Sequence, residues 1–298
     1  MVERAEYGGG SIRLVSVHGG HSGSFCGHAL DTLEDIVERY IELGFEWVCL
    51  TEHMPAEIAR LIAPEDAAQG LSVVELQHRF DQYFSECRRL KSLHRDKIDI
   101  LVGFETDAYT GYENAVANLI SRHQPDMIVG SVHHVHDILF DGSLDDYQRA
   151  VKLSGSIEAL YCDYFDKQLE LIERFEPAVV GHFDLIRIYD ADYMHRWEDV
   201  RVRDRAIRNL SRIKELGLIL DLNVRALSKG AMEPSISAPL MEYAITEGIL
   251  MSTGDDSHGV ESVAANLHEG AHILKARGGS MDWSKPAIGR HAVGSVSR

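Results

Sequence analysis

The segment Ile98-Asp-Ile-Leu-Val-Gly-Phe-Glu-Thr-Asp107 is a short apolar run that stops on one carboxylate, Glu105, with Asp107 two residues further on. Six other runs of this kind occupy residues 12–17, 46–51, 127–132, 178–181, 218–222 and 249–252. Each leads into side chains able to bind a metal or a polar ligand. These are His18 and His21, Glu52 and His53, His133 and His134, His182 and Asp184, Asn223, and Asp255, Asp256 and His258. A barrel of parallel strands collects its strand ends at one face, so donors far apart in sequence would converge there. The pattern predicts a polynuclear metal site.

Stretches with helical periodicity alternate with these runs. In residues 31–43, DTLEDIVERYIEL, the positions Leu33, Ile36, Val37, Tyr40 and Ile41 form one stripe. Asp31 is the expected N-cap, with Glu34 three residues on, and Gly44 the C-terminal stop. Residues 73–93, 114–122, 147–175, 200–216, 238–247 and 260–276 read the same way. Strand then helix, repeated in this manner, requires parallel strands with helical crossovers, hence a closed barrel or an open doubly wound sheet. An open sheet concentrates its site at one switch point, so donors at nearly every strand end favour a seven-stranded (β/α) TIM-like barrel. No Pro/Gly-rich linker divides residues 1–298, which read as one domain. The Gly/Ser-rich tail, 278–298, is expected to pack loosely or to close over one end.

A chain of 298 residues with 45% hydrophobic content can bury a full core. Its formal net charge of -17 argues against a general affinity for nucleic acid, since phosphate backbones are bound through clustered Lys and Arg. A small anionic substrate remains compatible if bound metal reverses the local charge. Cys26, Cys49, Cys87 and Cys162 form no CxxC pair, which suggests neither a zinc ribbon nor a disulfide framework. The start, Met1-Val-Glu-Arg-Ala-Glu6, shows no basic-then-apolar leader, and no run approaches the ~18 apolar residues of a spanning helix. The expected setting is the cytoplasm, without membrane contact.

Of the sixteen histidines, nine fall in strand-end clusters, which surface histidines would not do by chance. The first cluster, Ser16-Val-His-Gly-Gly-His-Ser-Gly-Ser-Phe-Cys-Gly-His28, brings three of them after one strand, with Gly19 and Gly20 removing bulk where the backbone must turn. Cys26 reads there as a small buried thiol. Glu105 can bridge two cations, which an imidazole cannot. In Gly130-Ser-Val-His-His-Val-His136, His133 is the expected ligand, and His134 and His136 are supporting or solvent residues.

The series HGGHSGSFCGHA, TEHMP, GFETD, GSVHH, GHFDLIR and GDDSH resembles the polymerase-and-histidinol-phosphatase (PHP) superfamily, within it the histidinol-phosphatase branch, over about residues 15–260. The resemblance implies a distorted seven-stranded (β/α) barrel with three divalent ions, zinc, manganese or iron. One would be held by His18, His21, Glu105 and Asp256, a second by Glu105, His133 and His182, and a third by His28, His53 and His258. The family opens with His-x-His; here two glycines separate His18 from His21, so His21 ligates only if the loop bulges.

Three divalent ions would carry about +6 and the two carboxylates remove about 2, leaving roughly +4 for a hydroxide and a phosphomonoester dianion. The ions would activate water, hold the phosphoryl oxygens and stabilise the leaving alkoxide. The implied activity is a metal-dependent phosphomonoesterase, with L-histidinol phosphate as substrate. Arg187 and Arg225 are candidates to clamp phosphate, and Asp184 to orient a ligand or protonate the leaving oxygen. Asp107, Tyr109, Tyr161 and Asp163 are candidates to meet the ammonium and imidazole of that substrate.

Three other readings compete. An amidohydrolase barrel commonly needs a metal-bridging lysine at a middle strand end, and none stands near Glu105 or His133. Phosphodiester or nucleic-acid processing fits poorly with the net charge of -17. A degenerate, non-catalytic barrel would not retain nearly every expected ligand.

Overall fold

The structure is a computed structural model that describes residues 12–289. Its strands are β1 (Val15–Ser16), β2 (Trp47–Leu50), β3 (Asp99–Glu105), β4 (Met127–Gly130), β5 (His134–Val135), β6 (Ile138–Leu139), β7 (Val179–Val180), β8 (Ile219–Asn223) and β9 (Leu250–Gly254). One sheet runs in the order β1-β2-β3-β4-β7-β8-β9, with every neighbouring pair parallel. It curls until β9 meets β1, where the Val17 amide donates to the Thr253 carbonyl at 2.9 Å and the Thr253 hydroxyl to the Val15 carbonyl at 2.8 Å. The result is a nearly closed barrel. The hairpin β5–β6 stands outside the sheet order, and no run of apolar residues announces it.

Helices cover the barrel: α1 (Leu33–Leu43), α2 (Pro64–Ala68), α3 (Val73–Leu93), α4 (Tyr112–His123), α5 (Leu144–Ser154), α6 (Ile157–Phe175), α7 (Tyr193–Arg196), α8 (Val200–Leu216), α9 (Arg225–Ser228), α10 (Ala238–Thr246) and α11 (Leu267–Ala276). The stripe expected on α1 is the face it buries: Leu33, Ile36, Val37 and Tyr40 are within the core. With both faces covered, β2 buries all of Trp-Val-Cys-Leu, as parallel strands require.

Local chemistry moves several boundaries. The cap of α1 is Thr32 rather than Asp31: the Thr32 hydroxyl accepts the Asp35 amide while the Asp35 side chain returns to the Thr32 amide. Asp31 sits just outside and accepts the Val260 amide at 2.8 Å. The single helix expected over 147–175 is two, because Gly155 in a left-handed conformation ends α5 and Ser156 caps α6 by accepting the Ala159 amide. Likewise 260–276 divides into a turn of 3-10 helix, Val260–Ser262, and α11.

The described part of the tail is well anchored. The Trp283 indole donates to the Arg13 carbonyl at 3.0 Å, Ser284 exchanges bonds with Met251 and Ser252, Lys285 pairs with Asp99, and the Gly289 amide donates to Asp126. These partners lie at the starts of β1, β9, β3 and β4, so the segment crosses the end of the barrel opposite the histidines. The rest of the expected tail, 290–298, lies outside the described residues.

Thr32→Ala is expected to cost about 1 kcal/mol, the usual worth of an N-cap. The urea midpoint reports it; an unchanged midpoint would return the capping role to Asp31.

Candidate metal centre

Strand pairing sets the first two donors side by side. Beyond Leu50 the β2–β3 ladder continues, with the Glu105 amide donating to the Glu52 carbonyl and the Met54 amide to the Glu105 carbonyl, both at 2.9 Å. His53 thereby pairs with Glu105, and His53 Nδ1 stands 2.8 Å from Glu105 Oε2. Glu105 Oε1 faces His182 Nε2 at 2.9 Å and His18 Nε2 and His133 Nε2 at 3.3 Å each. One buried carboxylate thus meets imidazoles from β1, β2, β4 and β7.

The loop after β1 folds back on itself. Gly20, at φ +80°, is closely packed, since a Cβ there would lie 2.6 Å from Leu50 Cδ2. The His21 amide donates to the Ser257 carbonyl at 3.0 Å and the Asp256 amide to the His18 carbonyl at 2.8 Å, stitching this loop to the end of β9. The bulge carries His21 back among the donors despite the two intervening glycines, with Nε2 3.4 Å from Asp256 Oδ1. At the outer side His28 Nε2 and His258 Nε2 face each other at 3.1 Å.

The donors fit a set of cations. His18 Nε2, His21 Nε2, His53 Nε2 and Asp256 Oδ1 are buried and have no hydrogen-bond partner among the described residues. Ring nitrogens such as His133 Nε2 and His182 Nε2, 3.2 Å apart, converge as ligands of one ion do. Donor atoms approach within 4.8 Å in the groups His18–His21–Asp256, His18–Glu105–His182, His53–Glu105–His133 and His21–His53–His258. This grouping differs in part from the division that the resemblance implies: His18 also joins Glu105 and His182, His53 also joins Glu105 and His133, and His21 rather than His28 joins His53 and His258.

Protonation favours the same reading. Burial would raise Glu105, but His18, His133 and His53 outweigh it and hold the carboxyl well below the usual range. Asp256 is held down likewise, by His18, Arg225 and His258 against its burial. Burial, with His53 and His21 nearby, pushes His28 down to about 3, leaving its ring neutral with a lone pair to offer. Burial opposes charge on His18, yet Glu105, Asp256 and Asp221 raise it well above an ordinary histidine, which marks a pocket that demands positive charge.

Further carboxylates hold the ligands. Glu52 Oε1 lies 3.3 Å from His21 Nδ1 and its Oε2 accepts the Ser22 amide. Asp221 Oδ2 lies 2.9 Å from His18 Nδ1. Sequence reasoning missed Asp221; its signal was an acid inside the apolar run Ile-Leu-Asp-Leu-Asn, on the same face as Asn223. Asp255, accepting from Ser16, Tyr40 and Ala264, is pushed by burial up to about 6 and braces the β1–β9 seam.

The cluster forms the floor of a cavity of about 760 Å³ that is also lined by Arg187, Arg225, Lys229, Tyr109, Glu65, Asp66 and Asp141. Arg225 Nη1 donates to the Asp256 carbonyl at 2.8 Å, beside His258. Arg187 donates to Asp184 and to the Glu233 and Pro234 carbonyls, with its guanidinium 4.9 Å from the Tyr193 ring. Asp184 does not stand where a leaving oxygen would be protonated. It is fully buried, outside the cavity lining, and takes up both oxygens with Arg187 Nε and the Ser237 amide. Its geometry is that of a brace for Arg187.

The remaining candidates divide. Tyr109 and Asp107 both line the cavity, with the Asp107 carboxylate bonded to His134 and to the His133 and Ala108 amides. The Tyr161 hydroxyl donates to Asp190, and Asp163 pairs with His136 and Ser154 away from the cavity. Neither His134 nor His136 falls in a donor group.

Comparison with known proteins bears on this geometry. Residues 19–225 match the PHP domain. The protein called "Probable histidinol-phosphatase" in Schizosaccharomyces pombe is 36% identical over 85% of this chain and 83% of its own length. The histidinol-phosphatase of Saccharomyces cerevisiae is 27% identical over 83% of this chain and 84% of its own. Among solved structures, the histidinol phosphate phosphatase of Lactococcus lactis, crystallised with zinc, L-histidinol and phosphate, superposes with a TM-score of 0.71. That superposition covers 94% of this chain and all of the other at 20% identity, a likeness of fold. With the PHP domain spanning more than half of its residues and a 36% identical relative matched over most of both lengths, this chain belongs to the PHP family.

Proposed function

We infer that this chain is a metal-dependent phosphomonoesterase that hydrolyses L-histidinol phosphate to L-histidinol and phosphate. The observation that carries the reading is the ring of unpartnered, buried donor atoms around Glu105 on the floor of a cavity whose wall bears Arg225 and Arg187. Relatives matched over most of their length bear the histidinol-phosphatase name, which supports the choice of substrate.

The proposed complement is three divalent ions, zinc, manganese or iron. His18, His21, Glu105 and Asp256 would hold one, Glu105, His133 and His182 another, and His28, His53 and His258 the third. When bound, such ions supply positive charge for phosphoryl oxygens and an activated water for in-line attack. The chain's own residues do the rest. Glu105 stays ionised between two donor groups and would hold an ion in either. Arg225, anchored on the Asp256 carbonyl, holds a cation beside the ligands, where an ester dianion would be met. Arg187, locked by Asp184, presents a second cation that cannot swing away. Glu65, Asp66 and Asp141 also line the cavity and bring to it carboxylates suited to a cationic amino alcohol.

A small phosphorylated substrate, not nucleic acid, is the proposed partner. Among the described residues no helix is long and apolar enough to cross a membrane. A cytoplasmic setting fits a biosynthetic phosphatase.

The test is phosphate release from a panel of small phosphomonoesters and one phosphodiester, before and after chelation and after metal add-back. Histidinol phosphate is expected to be the preferred substrate, with activity lost on chelation and restored by metal. Preference for another ester would overturn the substrate, and full activity in metal-free protein would overturn the mechanism. Arg225→Ala is expected to lower kcat/KM for histidinol phosphate about 100-fold, the scale of a charge-assisted phosphate contact. Equal kcat/KM in variant and parent would remove Arg225 from the site.

A further inference from the structure

β8 differs from the other barrel strands. The loops and ends of β1, β2, β3, β4, β7 and β9 each send a side chain into the donor groups, whereas among the described residues β8 sends none. Its inward positions are nevertheless polar and buried: Asp221 is 0% exposed and Asn223 1%. A bare carboxylate buried in a barrel is costly unless its partners repay it, so its contacts indicate its use.

Those contacts reach three other strands, the neighbours β7 and β9 and, beyond β9, β1. Asp221 Oδ2 stands 2.9 Å from His18 Nδ1, beyond β1, and 3.4 Å from the His182 amide, beyond β7. Asn223 Nδ2 donates to the same oxygen at 3.0 Å and to Asp256 Oδ2, beyond β9, at 3.2 Å. Because the carboxylate can only accept, His18 carries a proton on Nδ1, which leaves Nε2, the nitrogen that faces Glu105, as the one that would meet a cation. The Asn223 amide, donating to Asp256 Oδ2, leaves Asp256 Oδ1 as the oxygen facing His21. Gly254 leaves room for this arrangement: a Cβ on it would lie 2.1 Å from Asp221 Oδ1 and 3.0 Å from His18 Cβ.

We propose that Asp221 and Asn223 are positioning residues for the metal centre: β8 gives up ligation in order to fix the tautomer of His18 and the rotamer of Asp256. Such hydrogen-bond partners of ligands are typically worth about 10- to 100-fold in metal affinity. The inference rests on the reading of the cluster as a metal centre, and the experiment separates the two.

The full chain, stripped with chelator, is titrated with zinc alone, and bound zinc and thermal midpoint are followed for the parent, Asp221→Asn, Asp221→Ala and Gly254→Ala. Asn is nearly isosteric and keeps an acceptor while losing the charge; it is expected to weaken zinc binding about tenfold, and Ala about 100-fold. Gly254→Ala is expected to resemble Asp221→Ala, and the double variant to be no weaker than either single one, since both disturb one contact. The thermal midpoint of the stripped protein is expected to fall in Asp221→Asn, because the buried partner of His18 loses its charge, and its increase on adding zinc is expected to shrink as well. Parent-like zinc titration in the Asp221 variants, or a lowered stripped midpoint with an unchanged zinc increment, would overturn the proposal and leave Asp221 a structural residue. Failure of the parent itself to retain zinc would overturn the metal centre along with it.

Discussion

The crowding of imidazoles around the carboxylate of Glu105 is the constraint to which the rest of the structure answers. Oxygens of this one group stand within 3.3 Å of nitrogens from His18, His53, His133 and His182, none of which is its neighbour in sequence. Such crowding is unfavourable for neutral rings and tolerable when positive charge lies among them. Every parallel strand must therefore end at the same level, and every helix must return the chain to the opposite end. The barrel is the fold that meets this demand, and the strand ladders carry it out, as the continuation of β2–β3 pairing to His53 and Glu105 shows.

Much of this was legible in the sequence because strand ends are punctuated by chemistry. A run that reads Ile-Leu-Val-Gly-Phe and then Glu announces both the strand and the level of the site. The stripe on α1 and its stop at Gly44 could be read for the same reason: periodicity and backbone freedom are local properties. The division of 147–175 was also local, in Gly155 and Ser156, but a long apolar stripe outweighed one glycine.

What could not be read depends on side chains meeting across the barrel. Asp184 and Arg187 are three residues apart and both follow a strand, so sequence places them together at the site. Only the approach of the 233–237 segment shows that Asp184 is occupied by Arg187 and the Ser237 amide. Asp107 does line the cavity, but its engagement by His134, brought round by the β5–β6 hairpin, had no signal in the sequence. Asp221 carries no motif, since its significance lies in His18, more than two hundred residues away.

The segment that crosses the closed end of the barrel ties Arg13 to Trp283 and Met251 to Ser284, one contact on each side of the seam between β1 and β9. That seam is also where His18 and His21 meet Asp256 and His258. During synthesis the early donors leave the ribosome long before the late ones, and domains fold from the N-terminus as they emerge. A nascent chain can therefore offer incomplete ligand sets for much of its production, but the full set closes only when the last strand and its strap are made. Metal loading would thereby report on completion: a chain that held ions among these donors would be one whose first and last strands had already paired.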